Sequence, residues 1–234
     1  MFWWTGLVFA MPTNFITPNG VQYNRVQENT SFQQWIASLP TSTIPTESNA
    51  AQAFWINAYN GLTIDAVSSG YPIDSIRSLD NGQIWTTRKF MVGGTIVTLD
   101  EIEKVHLAKF KDPRHHAALN CAAKGCPVLS TTPYTGPGLD SQLTLASQQW
   151  ISTNAFRWED GWFTNSLHLS KIFDWYASDF PCDPSIEVPE HLPKQYCGVI
   201  QFIVQYAPTD QTQLLEKTYS IEWIGYDWSL NDVQ

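Results

Sequence analysis

The residues with the greatest chemical capability lie in one short stretch in the middle of the chain, residues 112–127. This stretch holds two adjacent histidines and two cysteines, which are His115, His116, Cys121 and Cys126. A thiol near an imidazole can act as a nucleophile, as half of a redox couple or as part of a metal site. Most of the neighbouring residues are small, so a ligand or another backbone segment can approach closely. The sequence therefore predicts a site here and leaves its reaction open.

A cysteine nucleophile is the first interpretation. Cys121 would attack an acyl group or a similar electrophile, and His116 would take its proton. The side chains that would orient the imidazole are Asn57, Asn60 and Glu103. His116 and Cys121 are five residues apart, which is about 140° around an ideal helix, so they can meet only across a turn or the base must be a distant residue such as His168. In this interpretation Cys121 would be the thiol that iodoacetamide labels fastest near neutral pH.

Two other interpretations use the same stretch. In a redox pair, Cys121 and Cys126 would close a disulfide, and Lys124 would lower the pKa of a thiol. In a metal site, the two histidines and the two cysteines would supply the nitrogen and sulfur ligands that zinc prefers. Adjacent histidines normally point apart, so at most three of these four ligands would bind one ion easily. We predict neither a metal nor another cofactor.

A non-catalytic binding or scaffold module is the fourth interpretation. Arg114 would pair with an acidic residue such as Glu103, and His116 would be a core histidine with satisfied hydrogen bonds. Cys121 and Cys126 would then pack as small apolar residues. An open cleft over Cys121 would favour an enzyme, whereas complete burial of Cys121, His116 and Glu103 without a pocket would favour a scaffold.

Hydrophobic periodicity predicts a long helix that positions part of the site. The helix begins near Ser48 or Asn49, either of which can cap it, and ends near Ser69, before a glycine. Asn57 and Asn60 are three residues apart, about 60° around the helix, so they can present two amides to a common point. The alternative is that both amides hydrogen-bond a loop inside the fold.

The remaining elements alternate irregularly. A β-hairpin over residues 88–98 leads into a helix with Glu103 in its first turn, where the macrodipole favours a carboxylate whether or not it has a site role. Further helices are predicted over residues 33–39, 138–154, 171–177 and 196–206, and further strands over residues 166–169 and 219–228. Because the order lacks the rhythm of a parallel sheet, it predicts an α+β fold: a single domain, mostly helical, with a small antiparallel β-sheet.

Five ordered blocks of sequence resemble a known family. The central block reads Asp-Pro-Arg-x-His-x-Ala-x-x-Cys-Ala-x-x-Gly-Cys-Pro over residues 112–127, and the other blocks begin at Ala53, Leu99, Leu169 and Tyr226. Together they resemble domain-of-unknown-function family 547. The resemblance implies one domain over residues 15–232, and it carries no established function.

Composition excludes some classes of function. The chain has 22 acidic against 13 basic residues, a formal charge of −9, and its basic residues are scattered singly. A nucleic-acid partner is therefore excluded, because such proteins need a basic patch or stripe. No phosphate-binding or dinucleotide-binding glycine motif is present. We expect a small-molecule or protein substrate of unknown identity, and the oligomeric state stays open.

Two segments of the chain bear on where the protein is located. Residues 1–14 are an apolar segment too short to span a bilayer as a helix, and they fit a signal-segment remnant, although no basic residue precedes Arg25. Cys182 and Cys197 lie in proline-rich sequence that looks inserted into the family frame, and we predict that they form a disulfide. A disulfide together with only 15% charged residues favours an extracellular or periplasmic location.

Overall fold

The long helix Ser48–Gly70 is the central element of the computed structural model, which describes residues 10–233. Most of its residues are buried around the whole circumference, as expected for a helix inside a core. Its N-terminus is capped by Glu47, whose carboxylate accepts hydrogen bonds from the backbone N–H groups of Asn49 and Ala50. The predicted helix is confirmed, and its cap lies just before the serine expected from the sequence.

Shorter elements surround this helix. The other α-helices are Tyr23–Val26, Thr30–Ser38, Ile84–Thr87, Leu99–Glu101, His115–Ala118, Leu139–Thr153, Lys171–Trp175, Cys197–Tyr206 and Gln213–Glu216. A π-helical stretch, Ile102–Leu107, continues from Leu99–Glu101. The 3₁₀ turns are Leu39–Thr41, Ile76–Gly82, Ala108–Phe110, Ala177–Asp179 and Lys194–Tyr196. The strands are Ile16–Thr17, Gly20–Val21, Phe90–Val92, Thr95–Val97, Phe156–Glu159, Asn165–Leu169 and Tyr219–Trp223.

The strands form small separate sheets. The two N-terminal strands and the predicted hairpin around Gly93–Gly94 are each two-stranded and antiparallel. The third sheet is mixed, because Asn165–Leu169 pairs antiparallel with Phe156–Glu159 and parallel with Tyr219–Trp223. The parallel pair was not expected; it arises because the chain returns to the sheet through helices rather than through a tight turn. The α+β fold class is confirmed.

Two clusters of buried apolar side chains make up the core, and the central stretch belongs to both. The first surrounds the long helix, and the second is built around Trp150 and Phe173, whose ring centroids lie 4.5 Å apart. Ala117 packs in the second cluster, whereas Ala118 and Leu119 pack in the first. The backbone that carries the histidines and cysteines is therefore fixed from both sides by close packing.

The proline-rich segment is closed by the predicted disulfide, which is confirmed between Cys182 and Cys197. Gln201, on the following helix, adds hydrogen bonds to the same segment: its amide donates to the carbonyls of Asp183 and Ile186, at 2.9 Å each. Of the predicted apolar segment 1–14, residues 1–9 lie outside the described residues. No helix within residues 10–233 combines the length and apolarity needed to cross a bilayer.

Candidate functional site

The loop that carries the cysteines is held by an amide of the long helix. Asn60 is buried, and its side-chain N–H donates to the carbonyl of Ala118 at 2.9 Å. Its side-chain oxygen accepts the backbone N–H of Asn120 at 3.0 Å. Because both polar atoms of the amide are used on one backbone segment, the helix fixes the residues directly before Cys121.

A second buried amide turns the chain. The side-chain oxygen of Asn120 accepts the backbone N–H of Ala122 at 2.7 Å, and its N–H group donates to the carbonyl of Pro127 at 2.7 Å. Ala122 has a φ of 63°, in the left-handed region that non-glycine residues rarely adopt. The reversal brings Cys126 back to Cys121, so that the backbone N–H of Cys121 donates to the Cys126 sulfur at 3.0 Å.

The C-terminal segment of the chain completes the site. The backbone N–H groups of Lys124 and Gly125 donate to the carbonyls of Ser229 and Asp227, both at 2.9 Å. This pairing places Tyr226 against the loop. A Cβ atom on Gly125 would lie only 3.0 Å from the Tyr226 ring, so the glycine is needed for this close approach.

The two sulfurs meet at the Tyr226 hydroxyl. Its oxygen lies 3.1 Å from the Cys121 sulfur and 3.1 Å from the Cys126 sulfur. Both cysteines are free thiols; Cys121 is partly exposed, and Cys126 is buried. Burial and the neighbouring thiols raise the pKa of Tyr226 above its usual value, so this hydroxyl remains a hydrogen-bond donor at neutral pH.

The two thiols have opposite pKa shifts. Burial raises the pKa of Cys126, but hydrogen bonds from the Cys121 thiol, the Tyr226 hydroxyl and backbone N–H groups outweigh burial, and the net shift is downward. The hydrogen bond to Cys126 and burial raise the pKa of Cys121 well above its usual value. We expected Cys121 to ionise first; these hydrogen bonds instead favour the thiolate at Cys126.

His116 lies between two carboxylates. Its Nε2 atom is 2.9 Å from an Asp179 oxygen, and its Nδ1 atom is 3.6 Å from a Glu103 oxygen. Tyr176 packs against the imidazole at 4.4 Å between ring centroids, and its hydroxyl hydrogen-bonds Glu103. The sequence proposed Glu103 as a group that orients the imidazole, and the structure places it beside the ring.

The two adjacent histidines have pKa values shifted in opposite directions. Burial lowers the pKa of His116, but the hydrogen bonds to Asp179 and Glu103 outweigh burial and raise it above its usual value. Burial and the charge of His116 lower the pKa of His115 to about 3. The Nδ1 atom of neutral His115 lies 2.6 Å from the Asp112 carbonyl oxygen, so it has a place for its proton.

A cavity of about 280 Å³ opens above the thiols. Glu103, His116 and both cysteines are among its lining residues. The remaining wall is mainly aromatic and is formed by Tyr59, Trp85, Trp175, Tyr176, Tyr226 and Trp228. An enclosed apolar pocket with a few convergent polar groups is the usual form of a small-molecule site.

Comparison with known proteins gives a family and no activity. Residues 45–151 match the family described as "Protein of unknown function, DUF547". This match supports the family resemblance over that part of the chain. The match includes the long helix, Glu103, His116 and both free cysteines, whereas the blocks beginning at Leu169 and Tyr226 lie beyond it. No curated protein and no solved structure matches the chain.

Two residues that we assigned to the site lie elsewhere. Asn57 does not share a target with Asn60, because its amide donates to the Tyr134 carbonyl at 2.8 Å and accepts the Tyr134 backbone N–H at 3.0 Å. Arg114 does not pair with Glu103. Its guanidinium donates to both oxygens of Asp112, at 2.9 and 2.8 Å, and to Asp140 at 2.9 Å. Both side chains hold backbone or surface contacts outside the cavity.

The proposed imidazole–thiol contact is replaced by other partners. Both nitrogens of His116 face carboxylates, and both sulfurs face Tyr226, with no hydrogen bond between these two groups among the described residues. His168, the alternative base, lies 3.2 Å from Glu159 on a neighbouring strand. A general base on Cys121 therefore has no support from the hydrogen bonds of this site.

The metal interpretation also loses its original ligand set. Within residues 10–233, the group with metal-ligand geometry consists of His115, His116 and Asp179, whose ligand atoms lie within 4.8 Å of one another. Neither cysteine belongs to it. The ion pair between His116 and Asp179 accounts for this cluster without an ion.

Three residues of the site were missed in the sequence: Tyr176, Asp179 and Tyr226. All three lie in blocks that carry the family resemblance, which was the one signal that could have found them. Their contact with the central stretch is not visible from sequence spacing, because they lie far along the chain; Tyr226, for example, follows Cys121 by 105 residues.

Proposed function

We propose that this domain is a thiol-dependent hydrolase or acyl transferase in which the thiolate of Cys126 attacks the substrate. The observation that supports the proposal most directly is the hydrogen bond from the Cys121 backbone N–H to the Cys126 sulfur, at 3.0 Å. The Tyr226 hydroxyl is equally distant from both sulfurs and cannot favour one of them. The backbone donor breaks this symmetry, because a peptide N–H stabilises an anion on Cys126 alone.

The chemical step uses both thiols. The Cys126 sulfur forms a bond to the carbonyl carbon, the bond to the leaving group breaks, and the leaving group departs with the proton of the Cys121 thiol. The product is a thioester on Cys126 and a thiolate on Cys121. Water or another acceptor then attacks the thioester, its proton returns to Cys121, and the Cys126 thiolate is regenerated.

The pKa of Cys121 suits this exchange. Its thiol keeps the proton in the resting site because the hydrogen bond to Cys126, burial and the charge of Cys126 all raise its pKa. Once Cys126 carries an acyl group, its hydrogen-bonding thiolate and its charge are gone. Cys121 then releases its proton more easily, at the moment when the leaving group needs one.

Glu103 and His116 are positioning residues in this proposal. Both line the cavity, and the hydrogen bond to Asp179 fixes the imidazole. Their contacts are with each other rather than with a sulfur.

A dithiol–disulfide couple is the second candidate. Cys121 and Cys126 hydrogen-bond each other and share Tyr226, so a substrate disulfide could accept two electrons and be reduced while the two cysteines become a disulfide. The same experiment separates the two functions.

The test uses p-nitrophenyl acetate with the whole chain. We expect a burst of nitrophenolate and an acetyl group on the peptide that contains Cys126. Cys126→Ala should abolish the burst. Tyr226→Phe should slow it about tenfold near neutral pH, since one lost hydrogen bond raises a thiol pKa by roughly one unit. The matched control is Tyr196→Phe, which removes a hydroxyl bonded to Asp174 at 3.1 Å outside the thiol pair.

Three results would overturn the acyl-transfer proposal. They are acetylation of Cys121 in place of Cys126, an unchanged burst in Cys126→Ala, and equal effects of the two tyrosine variants. Absence of acetylation, together with rapid formation of a Cys121–Cys126 disulfide when a small disulfide is added, would favour the redox couple.

A further inference from the structure

The aromatic wall of the cavity is a connected cluster of rings around Trp228. Its ring centroid lies 4.6 Å from that of Tyr226, 5.7 Å from Trp85 and 5.9 Å from Trp175. Trp175 and Tyr226 also contact each other, at 4.9 Å. Trp175 is 48% exposed, although tryptophan is normally highly buried. The cluster therefore presents aromatic surface that the protein itself does not cover.

The charges that line this cavity are mainly negative. Asp100 and Glu103 are the carboxylates among the lining residues, and no lysine or arginine joins them in the described part of the chain. Asp100 binds the exposed Lys104 at 2.6 Å. The imidazole of His116 lies 2.9 Å from the carboxylate of Asp179, which lies outside the lining. A thiolate on Cys126 adds a further negative charge.

One cation already contacts the cluster. The guanidinium carbon of Arg77 lies 5.3 Å from the centroid of Trp228, within the range of a cation–π contact. Arg77 does not line the cavity. The contact shows that the Trp228 ring already binds a positive group from outside the cavity.

We propose that the cavity binds an organic cation, an ammonium group carrying carbon substituents, between the Trp85–Trp175–Trp228 rings and the Glu103 carboxylate. Aromatic faces attract such cations through the ring quadrupole, and a nearby carboxylate adds a direct charge interaction. The cavity volume of about 280 Å³ fits a ligand of this size. The proposal names the substrate class of the thiol site, and it rests on the proposed function only in that respect.

The polar groups of the cavity argue against a sugar. A sugar ring needs several donors and acceptors, yet within residues 10–233 no Ser, Thr, Asn or Gln lines the cavity. The Tyr226 hydroxyl is used by the two sulfurs, and the Tyr176 hydroxyl is used by Glu103. An alkylated ammonium has few or no hydrogen bonds to lose on entering such a wall, so it is the better match.

The experiment compares choline with 3,3-dimethylbutanol, which has the same shape with carbon in place of the charged nitrogen. Calorimetric titration at constant ionic strength should show saturable binding of choline, at least about tenfold tighter than that of the alcohol. Glu103→Gln and Trp175→Leu should each weaken choline binding about fivefold or more, and Glu103→Gln should leave binding of the alcohol unchanged. Trp162→Leu is the control, because Trp162 is 93% exposed and does not line the cavity.

Equal affinity for choline and the alcohol, no saturable binding of choline, or an effect of Trp162→Leu as large as that of Trp175→Leu would each overturn the cation site. Cys126→Ala separates this proposal from the thiol chemistry. Wild-type affinity for choline in Cys126→Ala, with no acetylation of the wild-type chain, would leave the cation site standing and remove the proposed function. Acetylation of the wild-type chain, together with equal affinity for choline and the alcohol, would support the proposed function and remove the cation site.

Discussion

The two cysteine pairs of this chain are held together by different means. Cys182 and Cys197 are joined by a covalent bond across a sequence separation of 15, in a segment whose residues 181–193 form neither helix nor strand. Cys121 and Cys126 are closer in sequence and remain thiols, yet the surrounding backbone is fixed by buried amides and by the C-terminal segment. The disulfide restrains an irregular loop, whereas the free thiols are positioned by the surrounding fold.

This difference decides which pair can carry chemistry. A disulfide that restrains a loop acts mainly on the unfolded chain, by reducing its freedom, and its sulfurs are already consumed. The free pair has its geometry from hydrogen bonds to Asn60, Asn120 and Tyr226, so both sulfurs stay available for a substrate. Preorganised donors around a sulfur are also what lowers a thiol pKa.

Removing the disulfide should have the largest effect on stability. We expect the double variant Cys182→Ser, Cys197→Ser to lose about 3 kcal/mol of unfolding free energy, the value for a loop of this length. The rate of iodoacetamide labelling of Cys126 should not change, because no contact of the thiol pair comes from the disulfide. Urea unfolding measures the first and peptide mapping the second. An unchanged unfolding midpoint would show that the disulfide does not stabilise the fold, and an altered labelling rate would show that the two pairs are not independent.

Two asparagine variants test whether the buried amides position the free thiols. Asn60→Ala and Asn57→Ala each remove two hydrogen bonds from one buried amide to a backbone segment, so each should cost roughly 2 kcal/mol of unfolding free energy. Only Asn60 holds the loop before Cys121. Asn60→Ala should therefore also slow iodoacetamide labelling of Cys126 severalfold, and Asn57→Ala should not. Equal labelling rates in the two variants would mean that the amide network does not set the thiol geometry.

The fold was predictable where periodicity or turn chemistry is strong. The helices Ser48–Gly70 and Leu139–Thr153 and the hairpin at Gly93–Gly94 follow the sequence within a few residues. The closing strand is shorter than expected and ends at Trp223. Its parallel pairing with Asn165–Leu169 depends on how the helices between them pack, which no local pattern records.

The site was predictable only in its location. Residue types and spacing marked His116, Cys121 and Cys126, but the proposal of Cys126 as nucleophile depends on one backbone N–H and on a left-handed alanine. Neither has a signature in the sequence, since Ala122 is a residue type that normally avoids this conformation. The two asparagines look alike on the helix, and only their tertiary partners separate them.

Asp179 lies between the surroundings of the two cysteine pairs. Of the substitutions considered, its replacement should change the unfolding free energy least and with the strongest dependence on pH. Asp179 precedes Cys182 by three residues and accepts a hydrogen bond from His116. The pKa of His116 is raised above 6.5, so its contribution to stability is complete below that pH and is lost as the pH rises through the raised value. The hydrogen bond to His116 lowers the pKa of Asp179 below 3.8, so its contribution is present above that pH and is lost as the pH falls through the lowered value.

Asp179→Asn should therefore cost most between about pH 4 and pH 6.5, and the loss should shrink as the pH rises beyond the raised pKa of His116. We expect about 1 kcal/mol at the maximum, because the Asp179 side chain is 38% exposed and solvent screens the pair. Urea unfolding of variant and wild type at about pH 5 and about pH 9 measures the difference. Asp140→Asn is the control, since Asp140 pairs with Arg114, which does not titrate in this range. A loss that stays constant with pH would mean that Asp179 holds His116 through a neutral hydrogen bond rather than through an ion pair.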